Sequence, residues 1–184
     1  DASWLYRWIK KPKDYLPKTR MPEFGFNERD LMGVTAYLLA SSEKDYKPSI
    51  KFESGDPDKG KKLFESVGCQ GCHQLNGKGE TFAPNLSRIG NKVNADWLVT
   101  WISRPHSYNA MSKMPDLRLD EGQASDIASY LIQFGKKEII PGLEAKLKDP
   151  DLVQHGETVV RQRGCFACHD IKGMETEGRI APEL

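Results

Sequence analysis

The sequence has no marked excess of charge of either sign and no long apolar run. Its 27 lysines and arginines nearly balance its 26 aspartates and glutamates, so the formal net charge is +1. This balance argues against a nucleic-acid-binding protein, because such proteins hold phosphates with a clear excess of basic residues. No segment approaches the roughly 18 consecutive apolar residues of a transmembrane helix. Hydrophobic residues make up 38% and charged residues 29%, which is typical of a globular protein.

Cysteine is also scarce, and its few copies are all in one pattern. The chain has 4 cysteines, which form C-Q-G-C-H at residues 69–73 and C-F-A-C-H at residues 165–169. The pattern C-x-x-C-H is the attachment site of c-type haem. Its two thiols can reach the two vinyl groups of a porphyrin, and the histidine then supplies an axial nitrogen to the iron. The sequence therefore predicts covalent haem at Cys69, Cys72, Cys165 and Cys168, with His73 and His169 as iron ligands.

Two other uses of these cysteines stay open at this point. The first use is a redox C-x-x-C motif or a disulfide, although the βαβ pattern expected around such a redox motif is absent from the sequence. An all-thiolate zinc site made from the four cysteines is the other. Neither explains why a histidine follows each pair.

A repeat extends over most of the chain. A shift of 93 residues places residues 1–40 on residues 94–133 and aligns Trp4 with Trp97, Trp8 with Trp101, Met21 with Met114, and Tyr37 with Tyr130. A shift of 96 residues aligns the two C-x-x-C-H motifs and places Gly60 on Gly156. We therefore predict one complete unit with a linker and a half-unit on either side: half-unit 1–40, linker 41–55, complete unit 56–135, linker 136–150 and half-unit 151–184.

The pattern predicts an all-α fold of short helices and long loops. Asp56 followed by Pro57 is typical of a helix start, and Asn94 precedes a helix that stops before Pro105. Asp120 with Gln123 resembles a capping box. No convincing alternation of apolar and polar residues indicates a strand.

Taken together, these motifs resemble tandem class I cytochromes c. The resemblance rests on the Gly60–Phe64 helix, the C-x-x-C-H motif, the Ala83-Pro84-Asn85-Leu86 loop, the Trp97 helix, Met114-Pro115 and the Tyr130-Leu131 helix. It implies that the first and last helices of a unit cross at a glycine–aromatic contact. The third unit has Val160 where the complete unit has Phe64, so we expect a weaker crossing there.

The resemblance also implies the remaining contacts of each haem. The backbone carbonyls of Pro84 and Pro182 are expected to accept a hydrogen bond from His73 and His169, respectively. Trp97 and Trp4 are candidates for donating an indole N–H to a haem propionate, although both could simply be core residues.

Methionine is the expected second axial ligand. Met114 lies in a loop directly before a proline, and Met21 occupies the same position in the first half-unit. Met111 is a rival for Met114, but it lacks the Met-Pro match between the repeats. Met21 would serve either the His169 haem or a haem of an upstream segment. His106 and His155 are expected at the surface, and Met174 either at the surface or in packing.

The leading functional hypothesis is electron transfer by an electron carrier that is not itself an enzyme. A haem with both histidine and methionine ligands has no open position for a substrate, so its iron can only exchange electrons. Redox proteins, including a membrane respiratory complex, are the expected partners, and the expected location is periplasmic or otherwise extracytoplasmic. The alternative is a peroxidase-like enzyme or a gas sensor with a five-coordinate haem at His169.

The incomplete units at the two ends allow three arrangements. The chain could be a segment of a longer multihaem cytochrome. Residues 151–184 and 1–40 could instead close on each other into a composite domain. In the third arrangement the C-terminal half of one chain completes the N-terminal half of the next, which gives head-to-tail self-assembly.

Overall fold

The computed structural model describes residues 1–42, 47–171 and 173–174, and over these residues the fold is all-α, as predicted. The described part contains no strand, only an isolated bridge between Leu75 and Lys78. The helices are α1 Ala2–Lys10, α2 Pro12–Tyr15, α3 Glu28–Ala40, α4 Pro57–Ser66, α5 Ile89–Lys92, α6 Ala95–Ser103, α7 Pro105–Tyr108, α8 Glu121–Leu131, α9 Leu143–Lys146 and α10 Pro150–Gln162. Short 3-10 turns cover Cys69–Gly71 and Cys165–Ala167.

The helices begin where the sequence places polar caps. The Asp56 carboxylate accepts from the backbone N–H groups of Asp58 and Lys59 at the start of α4. Asn94 caps α6 through the Trp97 N–H at 2.8 Å. The capping box of Asp120 and Gln123 is formed at the start of α8. These bonds satisfy N–H groups that the first helical turn leaves without a partner.

The described residues fall into two compact units. The central unit comprises the described residues of Asp45–Glu138, and the split unit combines those of Asp1–Lys44 and Ile139–Leu184. Each unit has its own cluster of buried apolar side chains. The split unit therefore draws its core from both ends of the sequence.

In the central unit, α4 packs across α8 at Gly60. A Cβ atom at this position would collide with the backbone carbonyl of Asp126, so the two helices approach as closely as they do because residue 60 is glycine. One turn later, Phe64 is fully buried, and its ring centroid lies 5.7 Å from that of Tyr130. The glycine–aromatic crossing implied by the resemblance is present here.

In the split unit, α10 crosses α3 in the equivalent way despite Val160. A Cβ at Gly156 would collide with the carbonyl of Gly33, which stands at the position of Asp126 in the repeat. Val160 is completely buried at this crossing. The second glycine lets the two backbones approach closely enough for a valine to fill the space, so the change from Phe64 to Val160 does not prevent the contact.

The segments expected to be linkers contribute to the two cores. Ile50 is 6% exposed, and its N–H donates to the Thr100 hydroxyl at 3.2 Å. In the other segment, Leu143 and Leu147 are buried around α9. Both segments thus pack on their units, because each supplies apolar side chains that are buried against the helices.

Two residues outside the haem motifs can be compared with the positions expected for them. His155 is only partly exposed, and its Nε2 atom lies 2.7 Å from a carboxylate oxygen of Asp30, so it joins α10 to α3. Met174 is 2% exposed and packs in the core of the split unit. His155 therefore stays partly exposed, but the helix crossing also brings a carboxylate within reach of it, which the sequence did not indicate. Met174 takes the packing position, one of the two expected for it.

Candidate functional site

The two C-x-x-C-H motifs fold in the same way. Gly68 (φ +87°) and Gly164 (φ +66°) take the left-handed conformation that ends the preceding helix and starts the motif. The N–H of His73 donates to the Cys69 carbonyl at 2.9 Å, and that of His169 donates to the Cys165 carbonyl at 3.0 Å. Each motif is thus one tight turn that ends on its histidine. The two motifs therefore share the backbone geometry with which they would attach a haem.

The first and second cysteines of each motif lie in different surroundings. Cys69 and Cys165 are half-buried, whereas Cys72 and Cys168 are exposed. Burial raises the pKa of the Cys69 and Cys165 thiols. A redox C-x-x-C motif instead depends on a thiol whose pKa is lowered. The environment of these thiols therefore argues against the redox alternative.

The zinc and disulfide alternatives also lack support. All four cysteines lie in the described part of the chain, and all are free. Among the described residues, no group of three or more His, Cys, Asp or Glu side chains could hold a metal ion.

His73 is oriented by the loop that follows it. Its Nδ1 atom lies 2.7 Å from the carbonyl oxygen of Pro84. Because a carbonyl can only accept, Nδ1 carries the proton, and the lone pair of Nε2 stays available for a metal. A hydrogen bond at 2.9 Å from the Ala83 N–H to the Cys72 carbonyl holds this loop against the motif. The equivalent contact expected for His169 involves Pro182, which lies outside the described residues.

The two methionine loops share a local turn. The backbone N–H of Met114 donates to the Ser112 hydroxyl at 3.1 Å, and that of Met21 donates to the Thr19 hydroxyl at 3.2 Å. Both methionine residues are partly exposed. Met111, in contrast, is 87% exposed. A side chain so open to water is poorly placed to lie over a buried haem iron, which leaves Met114 as the better candidate.

An aromatic triad precedes each methionine. Trp97 stacks on Trp101 with ring centroids 5.2 Å apart, and Tyr108 meets both rings edge-on. The same arrangement recurs in the split unit with Trp4, Trp8 and Tyr15. The ring centroids of Trp4 and Trp8 are 5.7 Å apart, and Tyr15 meets both rings edge-on. Trp97 and Trp4, the candidate propionate donors, therefore lie in stacked pairs, and their contact with a propionate stays a prediction.

One contact in the central triad was not anticipated from the sequence. The indole Nε1 of Trp101 donates a hydrogen bond to the Sδ atom of Met114 at 3.0 Å. The available signal was the repeat itself, because a tryptophan precedes both Met21 and Met114 at the same spacing. That spacing alone does not distinguish a residue that packs from one that donates to sulfur.

The donor set of the central unit fits a c-type haem. Cys69 and Cys72 can form the two thioether bonds, the Nε2 atom of His73 is left free by the bond to Pro84, and a thioether is available from Met114. When bound, a haem of this kind supplies an iron that cycles between the ferric and ferrous states. The protein contributes the attachment points, the orientation of the histidine ring and the environment of the sulfur.

Comparisons with known proteins found similarity to c-type cytochromes. The cytochrome c family model matches residues 57–134. The CcoP subunit of a Cbb3-type cytochrome c oxidase from Helicobacter pylori is 37% identical over 89 residues, which is 45% of this chain and 29% of that protein. Another Helicobacter pylori CcoP is 36% identical over 130 residues, which is 69% of this chain and 42% of that protein. A nitric oxide reductase subunit from Stutzerimonas stutzeri is 33% identical over 79 residues, which is 40% of this chain and 54% of that protein.

The extent of these similarities is limited. The matched region spans less than half the length of the CcoP relatives. No solved structure is significantly similar to the chain. Within the described residues, no helix has both the length and the apolar character to cross a membrane.

Proposed function

We propose that residues 57–134, which the cytochrome c family model matches, form a class I cytochrome c domain that binds haem c covalently, and that the whole chain transfers single electrons between respiratory redox proteins. The observation that carries the proposal is the hydrogen bond between His73 and the Pro84 carbonyl, inside the region that the family model matches. It presets the imidazole to offer Nε2 to an iron. In a chain with two thiols beside that ring, the metal is the iron of a covalent haem.

We assign His73 and Met114 as the axial ligands of the central haem. The partial burial of Met114 and the 87% exposure of Met111 support this choice. An iron with both ligands in place has no vacant position, so a substrate cannot bind to it. The protein is then an electron carrier, and its residues determine the potential of the haem and its insulation from water.

We further propose a second haem in the split unit, attached at Cys165 and Cys168, with His169 and Met21 as its axial ligands. Three observations support it. The two C-x-x-C-H turns have the same hydrogen bonds, the Met21 and Met114 loops share a hydroxyl-anchored turn, and α10 packs on α3 in one unit. The similarity to one CcoP protein also covers 130 residues and so extends beyond the central domain. This is the composite-domain arrangement, in which both ends of one chain enclose one haem.

The relatives indicate the class of partner. Their names describe subunits of a cbb3-type oxidase and of nitric oxide reductase. We propose that this chain acts likewise as an electron-transfer part of a respiratory membrane complex, with redox proteins as its donor and acceptor. An extracytoplasmic location goes with that role.

Binding of carbon monoxide to the reduced, haem-loaded protein tests the proposal. Carbon monoxide needs a vacant iron position, so the wild-type spectrum should not change, whereas the Met114→Ala variant should bind about one equivalent. Met111→Ala is the matched control, since it removes an exposed thioether from the same loop, and it should behave as wild type.

Immediate binding of carbon monoxide by the wild-type protein would overturn the proposal in favour of a five-coordinate haem enzyme or gas sensor. Binding by Met111→Ala but not by Met114→Ala would overturn the assignment of the ligand.

A further inference from the structure

We propose that His106 is a latch that ties the Met114 loop to helix α7, and that the split unit lacks this latch. The proposal rests on the histidine and methionine ligation of the two haems proposed above. His106 is a positioning residue, since it acts on the iron only through the loop that carries the methionine. Met21 has no such restraint, so the two sites should differ in what it takes to release the methionine.

The imidazole of His106 bonds to the backbone of the methionine loop. Its Nε2 atom lies 3.1 Å from the carbonyl oxygen of Ser112. Because a carbonyl can only accept, Nε2 is the donor. The hydroxyl of the same serine accepts from the N–H of Met114, also at 3.1 Å. Ser112 therefore connects the imidazole to the backbone of the proposed ligand through two hydrogen bonds in series.

The helix that carries His106 is fixed independently of the loop. Helix α7 begins at Pro105, which is fully buried. It ends at Tyr108, whose ring meets those of Trp97 and Trp101 edge-on at centroid distances of 5.6 and 5.8 Å. Since contacts at both ends hold this helix in place, the bond from His106 restrains the loop and not the helix.

The split unit contains the same loop, which serves as an internal comparison. The two backbone hydrogen bonds that shape the central loop recur there, from the Leu16 N–H to the Pro12 carbonyl and from the Thr19 N–H to the Leu16 carbonyl, both at 2.9 Å. The Thr19 hydroxyl accepts from the Met21 N–H at 3.2 Å. The two loops therefore share their backbone turns and the hydroxyl that anchors the methionine.

The two loops differ at the position of the imidazole. Lys13 stands where the central unit has His106. Among the described residues, no hydrogen bond joins Lys13 to Thr19. The central loop also has a bond at 3.0 Å from the Met111 N–H to the Asn109 side chain, but this bond closes within three residues and does not reach back to the middle of α7. The bond from the helix side chain to the loop tip is thus present in one unit and missing in the other.

The latch should shift the equilibrium between a closed and an open loop. Imidazole added to the solution binds the iron only after the methionine has left, so its apparent affinity falls in proportion to the fraction of open loops. A single hydrogen bond in a protein changes an equilibrium by about two- to tenfold. Removing the latch should therefore strengthen the binding of imidazole at the central site by this factor.

Imidazole titration of the ferric, haem-loaded chain tests the proposal, with loss of the sulfur-to-iron charge-transfer band as the readout. All variants carry Met21→Ala, so that the band reports Met114 alone. His106→Ala should lower the midpoint imidazole concentration about two- to tenfold. His106→Gln keeps an N–H donor near the position of Nε2 and should restore the original midpoint. The matched control is Lys13→Ala, at the equivalent position of the other unit, and it should leave the midpoint unchanged.

A second variant builds the latch into the split unit and keeps the test decisive if His106→Ala folds poorly. In a Met114→Ala chain, Lys13→His should offer an N–H to the Thr19 carbonyl and raise the imidazole midpoint of the Met21 site at least twofold. An unchanged midpoint in either variant would overturn the proposal, as would a His106→Gln protein that behaves like His106→Ala. A Met21→Ala chain without any charge-transfer band would instead show that Met114 is not a ligand, which is a failure of the proposed function.

Discussion

Replacing Gly60 by alanine should destabilise the central unit by a calculable amount. An ideal Cβ atom at Gly60 collides with the Asp126 carbonyl and lies 3.0 Å from the backbone nitrogen of Ile127. Both neighbours are backbone atoms of α8, so the new methyl group cannot be accommodated by a side-chain rotation. The helices must separate, and Phe64, which is buried one turn away, must separate with them.

The expected magnitude is the difference between two opposing effects. Forcing an extra carbon into a packed contact costs about 1–3 kcal/mol. Alanine in place of glycine within a helix returns up to about 1 kcal/mol. Because the obstructing atoms at Gly60 belong to the backbone, the cost lies in the upper part of this range, at about 2–3 kcal/mol. The free energy of unfolding of the central unit should therefore fall by about 1–2 kcal/mol, which for a unit of this size lowers the Tm by roughly 5–15 °C.

Thermal and denaturant unfolding, followed by haem absorbance and circular dichroism, would measure this change. Gly122→Ala is the matched control, because Gly122 lies in the first turn of α8 and the nearest atom to its added Cβ is a side-chain oxygen of Asp120, at 3.3 Å. That variant should be as stable as wild type or more stable by up to about 1 kcal/mol. If Gly60→Ala were as stable as Gly122→Ala, the two helices would not approach each other as closely as the structure has them, and the reasoning would fail.

Two further variants address the split unit. His155→Ala removes the 2.7 Å hydrogen bond that joins His155 on α10 to Asp30 on α3. The side chains of these two residues are 27% and 18% exposed, so the free energy of unfolding of this unit should fall by about 1–3 kcal/mol in a denaturant titration. Its control on the same helix, Glu157→Ala, loses a partly exposed ion pair with Arg161 and should show little change. Burial and the hydrogen bonds to Glu28 raise the pKa of Tyr6 to about 12, so the neutral phenol stabilises the folded state fully below pH 10. This contribution should be lost between pH 10 and about pH 12, and Tyr6→Phe should abolish that part of the pH dependence in urea unfolding.

The local features of the fold could be read from the sequence because they depend on neighbouring residues. The caps at Asp56, Asn94 and Asp120 are satisfied within three residues of each helix start, and the C-x-x-C-H turn closes on itself. The repeat then showed which positions are equivalent. These signals were sufficient to predict an all-α fold and covalent haem.

The contacts that could not be predicted join residues distant in sequence. The repeat gave the equivalence of Gly156 to Gly60 and of Val160 to Phe64, but the close approach of Gly156 to Gly33 depends on a crossing between the two ends of the chain. His155 was expected to be a surface residue for the same reason, since Asp30 is 125 residues away. The bond from Trp101 to Met114 depends on the rotation of an indole ring, which residue spacing does not specify.

The central claim is that both units bind a haem through histidine and methionine. The most direct measurement is the intensity of the sulfur-to-iron charge-transfer band per mole of ferric protein in wild type, Met114→Ala and Met21→Ala. The account predicts two haems per chain and a loss of about half the band in each variant. A wild-type intensity in Met21→Ala would contradict the claim, because the split unit would then hold its haem, if any, without Met21.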